Sequence, residues 1–161
     1  MARLRDLLLC VLVSLVARPV LADATVFLGA NTTPENRAVK GAAVGVGLLL
    51  LAFEVEYSAT GSDAEDAAPS LKTGMGNILL QTPFDIGGVQ AYVTTGTGFY
   101  RERLNAQDHR DTGLGTNVGG GLKISLAGPV RLRVDYRLFR LGEDALHQTV
   151  HRVYAGVNLR F

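Results

Sequence analysis

From about residue 49 to the C-terminus, apolar and polar residues alternate one for one, and turn residues break the alternation at intervals. The clearest run is 130–138, where Val130, Leu132, Val134, Tyr136 and Leu138 share one face and Arg131, Arg133, Asp135 and Arg137 share the other. A two-residue period of this kind is that of a β-strand whose two faces meet different surroundings. The final stretch repeats it, with Val153, Ala155, Val157, Leu159 and Phe161 against Arg152, Tyr154, Gly156, Asn158 and Arg160. Leu49, Leu51, Phe53, Val55 and Tyr57 oppose Ala52, Glu54, Glu56 and Ser58, and Val118, Leu122, Ile124 and Leu126 oppose Asn117, Gly119, Gly121, Lys123 and Ser125. No helical period competes.

Turn residues between these runs predict eight strands near 24–31, 39–48, 50–58, 70–81, 89–103, 112–126, 130–141 and 149–161. The alternation is blurred in the second and fourth by glycines and apolar residues. Connections at 48–50, 82–88 and 127–129 are on the short side, and those at 32–38, 59–69, 104–111 and 142–148 are longer and polar. Short turns at one end and long loops at the other describe an up-and-down barrel of an outer membrane, with the long loops outside the cell.

Charge decides which face is which. A soluble barrel turns its charged face to water, whereas a ring of eight strands is too narrow to bury so many large apolar groups within. Long Arg, Lys and Glu side chains facing a lumen thinned by Gly41, Gly45, Gly47, Gly96, Gly98, Gly115, Gly119 and Gly121 fit the inverted arrangement. The expected fold is therefore all-β: an eight-stranded antiparallel up-and-down transmembrane β-barrel. No run in 23–161 is apolar enough for a membrane-spanning helix, so spanning falls to the strands.

The first residues read differently. Arg3 and Arg5 precede an unbroken apolar run from Leu7 to Val16, and small residues follow at Ala22 and Ala24. That is the order of a signal peptide, and the run is about half the roughly 20 residues a spanning helix needs. Expected processing leaves a signal peptide of residues 1–22 and a barrel domain of 23–161, cleavage after Ala24 fitting equally well. Cys10 follows Leu9 rather than a small residue, which does not fit lipidation, and it is the only cysteine. The exported chain then has no disulfide and no thiolate metal site. Losing residues 1–22 removes three basic residues and one acidic, so the formal charge passes from +1 to −1. No basic excess points to nucleic acid.

Four stretches, residues 91–100, 117–122, 133–137 and 154–161, resemble the outer membrane β-barrel family, which groups opacity-like surface antigens with OmpA- and OmpX-type barrels. The resemblance covers the whole exported chain, and its most specific part is the end. It implies an assembly signal in Tyr154, Val157, Leu159 and Phe161, read by the outer-membrane assembly machinery. It also implies outer-membrane lipids, including lipopolysaccharide, as surroundings, a surface ligand without a name, and no second, OmpA-type domain.

Candidate chemistry is sparse. The glycine-rich run from Gly113 to Gly119 is not followed by the helix a dinucleotide loop requires. His147 and His151 would stand roughly 13 Å apart on a strand, too far to share an ion, so neither metal nor cofactor is expected. The acidic loop 61–69 reads as a solvated connection, with surface recognition as its alternative. Some barrels of this size and ending are lipid A deacylases with a His-x-Ser pair. His147 and Thr149, with Glu143 and Asp144 nearby, are the corresponding positions, and threonine departs from that pattern. The reading is a non-enzymatic barrel of structural or surface-interaction role, with a narrow pore and a lipid A-modifying enzyme as alternatives.

The lumen carries the last expectation. Glu54 and Glu56 lie on the third strand, and Arg131, Arg133 and Arg137 on the seventh. In a ring of eight these strands are diametrically opposite, so the side chains can meet across the lumen. Together with Lys123, Asp135 and Arg152 they would form a charged plug, with Glu54 paired to Arg133 or to Arg131. The alternative is a hydrated lumen lined by unpaired charge.

Overall fold

A computed structural model of the chain describes residues 21–62, 68–83, 85–104 and 109–161. Eight strands close into one barrel: β1 (Leu21–Asn31), β2 (Arg37–Leu48), β3 (Leu51–Thr60), β4 (Ser70–Gln81), β5 (Val89–Leu104), β6 (His109–Ala127), β7 (Val130–Arg140) and β8 (Thr149–Arg160). Each is antiparallel to its neighbour in sequence, and β8 closes on β1 from Asp23↔Arg160 to Asn31↔Arg152. At the seam's end Ala22 and Phe161 exchange both backbone hydrogen bonds at 2.9 Å. No strand edge is left open, as a bilayer without water requires.

The eight expected strands are all present, with boundaries moved by a few residues. The first starts at Leu21 rather than 24, because Leu21 to Asp23 pair with β2 through Leu21↔Gly47 to Asp23↔Gly45. The third starts at Leu51 rather than 50, because Leu49, at φ 54, and Leu50 form the turn. Of the expected signal peptide, residues 1–20 lie outside the described residues, and so does 63–67 of the acidic loop.

Period two sets the two faces along every strand. Outward stand Val26, Leu28, Val55, Tyr57, Val93, Phe99, Leu114, Val118 and Leu126, each more than half exposed. Apolar exposure continuous around a wall is not tolerated by a soluble monomer and is what a lipid-facing wall needs. No described helix is long and apolar enough to cross a membrane, so the strands do the crossing.

Inward stand the charges, and glycines make their room. A Cβ on Gly119 would lie 2.9 Å from Arg137 Cγ, and one on Gly121 would lie 2.5 Å from the Tyr92 hydroxyl. Only glycine lets β6 carry such long neighbours on β5 and β7.

β4 shows why its pattern was blurred. Its inward positions include Leu71, Met75 and Leu79, all buried, while its outward ones include Ser70, Lys72, Gly74 and Gly76. The alternation is intact but its polarity is partly reversed, because Leu71 and Met75 face the apolar layer near the long loops and Leu79 packs with Ala52 and Tyr92, while Asn77 between them bonds to Glu54.

Candidate functional site in the barrel lumen

Three acids and three arginines meet at the centre. Arg133 on β7 reaches across to Glu54 on β3, with Nη1 on Oε2 and Nη2 3.3 Å from Oε1. That two-point grip is the geometry a guanidinium offers a carboxylate. Arg137 Nη2 adds a bond to Glu54 Oε1 at 2.9 Å, and its Nε donates to Asp135 Oδ1 at 3.0 Å. Arg137 Nη1 lies 3.0 Å from Glu56 Oε2 in ion contact outside hydrogen-bond geometry. Arg152 on β8 donates from Nη1 to Glu56 Oε1 at 3.2 Å and from Nε to Asn31 Oδ1 at 2.9 Å.

Every member of this cluster is nearly sealed from solvent, Arg133, Arg137 and Arg152 at 0% exposure. Glu54, Glu56 and Asp135 balance the three guanidiniums one for one, so no net charge is buried. Balance matters, because a lone ion withdrawn from water is costly and a matched, hydrogen-bonded set offsets much of that cost. Two tyrosines complete the shell. Tyr92 accepts from Arg133 Nε at 2.7 Å while its hydroxyl donates to Asp135 Oδ2, and Tyr154 stacks on Phe27 with ring centroids 4.0 Å apart.

A second, smaller cluster lies nearer the short turns. Asp23 Oδ2 accepts from Lys123 Nζ at 2.5 Å and from Arg131 Nη2 at 3.2 Å. Arg131 also donates to Asn158 at 2.7 Å and to Gln90 at 3.0 Å. The eight residues expected to form one network are thus divided, with Lys123 and Arg131 in this group. Between the two partners considered for Glu54, the geometry selects Arg133, and Arg131 is committed elsewhere. Asp23, Tyr92 and Asn31 were missing from the expected set. Beside the second cluster a cavity of about 360 Å³ opens at the short-turn end, lined in part by Asp23, Asp85, Arg131 and Arg160.

Toward the long loops the lumen turns apolar. Leu71, Met75, Tyr100, Phe139, Leu141, Ala145 and Val150 form one buried cluster. Arg152 marks the border, its guanidinium 4.2 Å from the centre of the Phe139 ring.

Of the expected assembly-signal residues, Val157, Leu159 and Phe161 face outward, Phe161 at 73% exposure. Tyr154 sits on the opposite face, in the lumen, so it does not share their lipid-facing stripe. At the rim, His147 is half-buried in the loop after β7, and burial, with the charge of Arg37, holds its imidazole below the ordinary histidine value. Its Nδ1 is buried without a partner, while Thr149 is exposed. His151 is bound elsewhere, Nδ1 lying 2.7 Å from the Tyr136 hydroxyl.

A closed, antiparallel eight-stranded ring with an apolar wall and a polar interior defines a transmembrane barrel of the bacterial outer membrane. The family model described as the outer membrane protein beta-barrel domain matches residues 22–161, and the chain belongs to that family. Neisserial surface protein A (NspA) shares the fold at TM-score 0.66 and 21% identity, over 88% of this chain and 96% of that one. The N-terminal β-barrel domain of Pseudomonas aeruginosa OprF matches at TM-score 0.66 and 16% identity, over 88% and 97%. The outer membrane enzyme PagL matches at TM-score 0.55 and 12% identity, over 85% and 98%. Comparison with curated proteins gives no match.

Proposed function

We propose that the barrel is a closed, non-enzymatic scaffold that displays its long loops at the cell surface for structural or surface-interaction work. The observation that carries the reading is the filling of the lumen by two stacked plugs. A charge-balanced core of Glu54, Glu56, Asp135, Arg133, Arg137 and Arg152 spans it from β3 to β7 and β8, and an apolar layer around Phe139 and Leu71 lies above. Side chains bound to each other in this way support a lumen closed to transport, and on this reading function falls to the ends of the ring. The segments joining β1 to β2, β3 to β4, β5 to β6 and β7 to β8 carry that role in such a design.

An enzymatic role would need an activated hydroxyl at the rim. At the corresponding positions Thr149 is exposed and His147 Nδ1 is buried without a hydrogen-bond partner, so that nitrogen does not activate the hydroxyl. Likeness to PagL extends to the fold, which hosts many functions.

Refolded protein in a planar bilayer tests closure. The expected record has no stable conductance steps, and large steady steps would overturn the plug. Overexpression with lipid A mass analysis tests the chemistry, with unchanged masses expected. Trimming the long loops should abolish whatever surface phenotype the barrel carries while leaving it folded.

A further inference from the structure

The lumen holds charges of both signs, whereas the charged strand residues described on the outer wall are all basic. The acidic strand residues Asp23, Glu54, Glu56, Glu102, Asp111 and Asp135 are all on the lumen side. Lys40, Lys72, Arg101, Arg103, Arg110 and Arg140 all stand exposed on the outer wall, each in the half of its strand next to the long loops. Four of these six form a compact array. The strand register sets Lys72 opposite Arg101, and Arg101 opposite Thr112. In the next outward row it sets Ser70 opposite Arg103, and Arg103 opposite Arg110. Strands are about 4.8 Å apart and same-face neighbours about 6.6 Å apart along a strand. The result is a grid roughly 10 Å by 7 Å carrying four cations and two hydroxyls.

Among the described residues nothing neutralises it. None of the four cations has a carboxylate partner among the described residues. The described acids interleaved with them in sequence, Glu102 and Asp111, point through the wall: Glu102 accepts from Leu146 N at 3.0 Å, and Asp111 accepts from the Tyr100 hydroxyl. Like charges directly opposed on neighbouring strands are destabilising, and here Lys72/Arg101 and Arg103/Arg110 are two such pairs side by side. An arrangement that costs stability when bare fits an anion from outside.

The height of the grid identifies the source of that anion. Arg101 stands ten residues along β5 from Ala91. At about 3.3 Å per residue and a tilt near 40°, that stretch rises about 25 Å, the height of the apolar band of an outer-membrane barrel. The row just below the cations is the outward pair Phe99 and Leu114, both lipid-facing. The cations therefore lie where acyl chains give way to headgroups in the outer leaflet, and they project sideways into the bilayer rather than upward from loop tips.

Resting on the reading that the long loops are extracellular, we propose that Lys72, Arg101, Arg103 and Arg110, with Thr112, form a binding site for a phosphate-bearing lipid headgroup of the outer leaflet. Phosphate oxygens take the guanidinium forks, and the lipid's chains lie on Phe99 and Leu114 below.

The test compares lipids that differ only in phosphate. Full-length protein is refolded in nanodiscs holding a zwitterionic phospholipid with equal parts of bisphosphorylated and dephosphorylated lipid A. Lipids retained on the barrel are counted by native mass spectrometry. Retention of the phosphorylated form should exceed the other several-fold. The exposed quadruple variant K72Q/R101Q/R103Q/R110Q should bring the ratio close to one, while the control K40Q/R140Q, which removes rim charges outside the grid, should keep it. Equal retention of both lipids by the wild-type protein overturns the proposal whatever the variants do. An equal loss in the control, or binding of soluble inositol hexaphosphate with no preference among the lipids, also overturns it. Heat-modifiable electrophoretic mobility of the same samples reports the folded barrel separately, so failure of the lipid site is distinct from failure of the barrel reading.

Discussion

The two layers of the lumen are equally well buried, yet they are built from opposite materials and should fail in opposite ways. The apolar layer around Leu71, Phe139 and Val150 is held mainly by contact, so a missing apolar group leaves a cavity whose neighbours partly close in. The layer around Arg133 and Arg137 is held by matched charge. Removing one member there leaves its partners ionised and unpaired, and no relaxation of packing repairs that. Burial alone does not tell how much a residue supports a fold; what it leaves behind does.

The largest expected effect follows directly. Glu54→Ala strips Arg133 of its two-point partner and Arg137 of one bond, and should cost roughly 3–5 kcal/mol in urea unfolding from lipid vesicles. Truncating Arg133 in the same background should cost far less than it does alone, so a double-mutant cycle reads a large coupling. Zero coupling would mean that the two charges are solvated separately in a hydrated lumen. In the apolar layer, Leu71→Ala should cost roughly 2–4 kcal/mol. A cycle between Leu71 and Glu54 should be additive, the two residues sharing no contact in either cluster. Coupling there as strong as between Glu54 and Arg133 would erase the distinction between the layers.

Tyr92→Phe sharpens the comparison, because it keeps the ring and deletes only the hydroxyl. Arg133 Nε then loses its acceptor and Asp135 a donor, inside a nearly dry site. The expected loss is about 1–2 kcal/mol. Leu79, a buried apolar neighbour of Tyr92, offers the matching subtraction, and Leu79→Val should cost no more than about 1 kcal/mol. Reversal of that order would show the hydroxyl to be idle.

Most of the architecture was legible because a period of two leaves little freedom: once Arg133 faces inward, Val134 faces lipid. The Glu54–Arg133 meeting was legible for a related reason, since strands three and seven of eight are always opposite. What escaped was any residue whose role is not announced by its polarity. Leu71 and Phe139 point into a lumen where charge was expected, so alternation of hydrophobicity could not find them; register could, counting on from Val134 and Asp135. Lys123 and Arg131 were placed in the central network because sequence gives sign and face but no depth finer than a residue or two of stagger. Asp23 escapes because small residues at Ala22 and Ala24 mark a processing boundary there and hide the strand pattern, which reads from Ala24.

That boundary gives the smallest and last test. Cleavage after Ala22 or after Ala24 suits the small-residue rule equally, but the two products differ in the lumen. Cutting after Ala24 removes Asp23, the carboxylate that accepts from both Lys123 and Arg131. Arg131 would keep Asn158 and Gln90, while Lys123 would be left with the face of Tyr92 at 5.7 Å. Cutting after Ala22 keeps the ion pairs and the Asp23↔Gly45 and Asp23↔Arg160 pairings that close the ring. The exported protein is therefore expected to begin at Asp23, and N-terminal sequencing from outer-membrane fractions checks it. Asp23→Asn should then cost only about 1 kcal/mol, because the amide still accepts hydrogen bonds and the site is partly open to solvent at the short-turn end. A mature chain that starts at Thr25, with unchanged unfolding for Asp23→Asn, would show that the second cluster assembles without its acid.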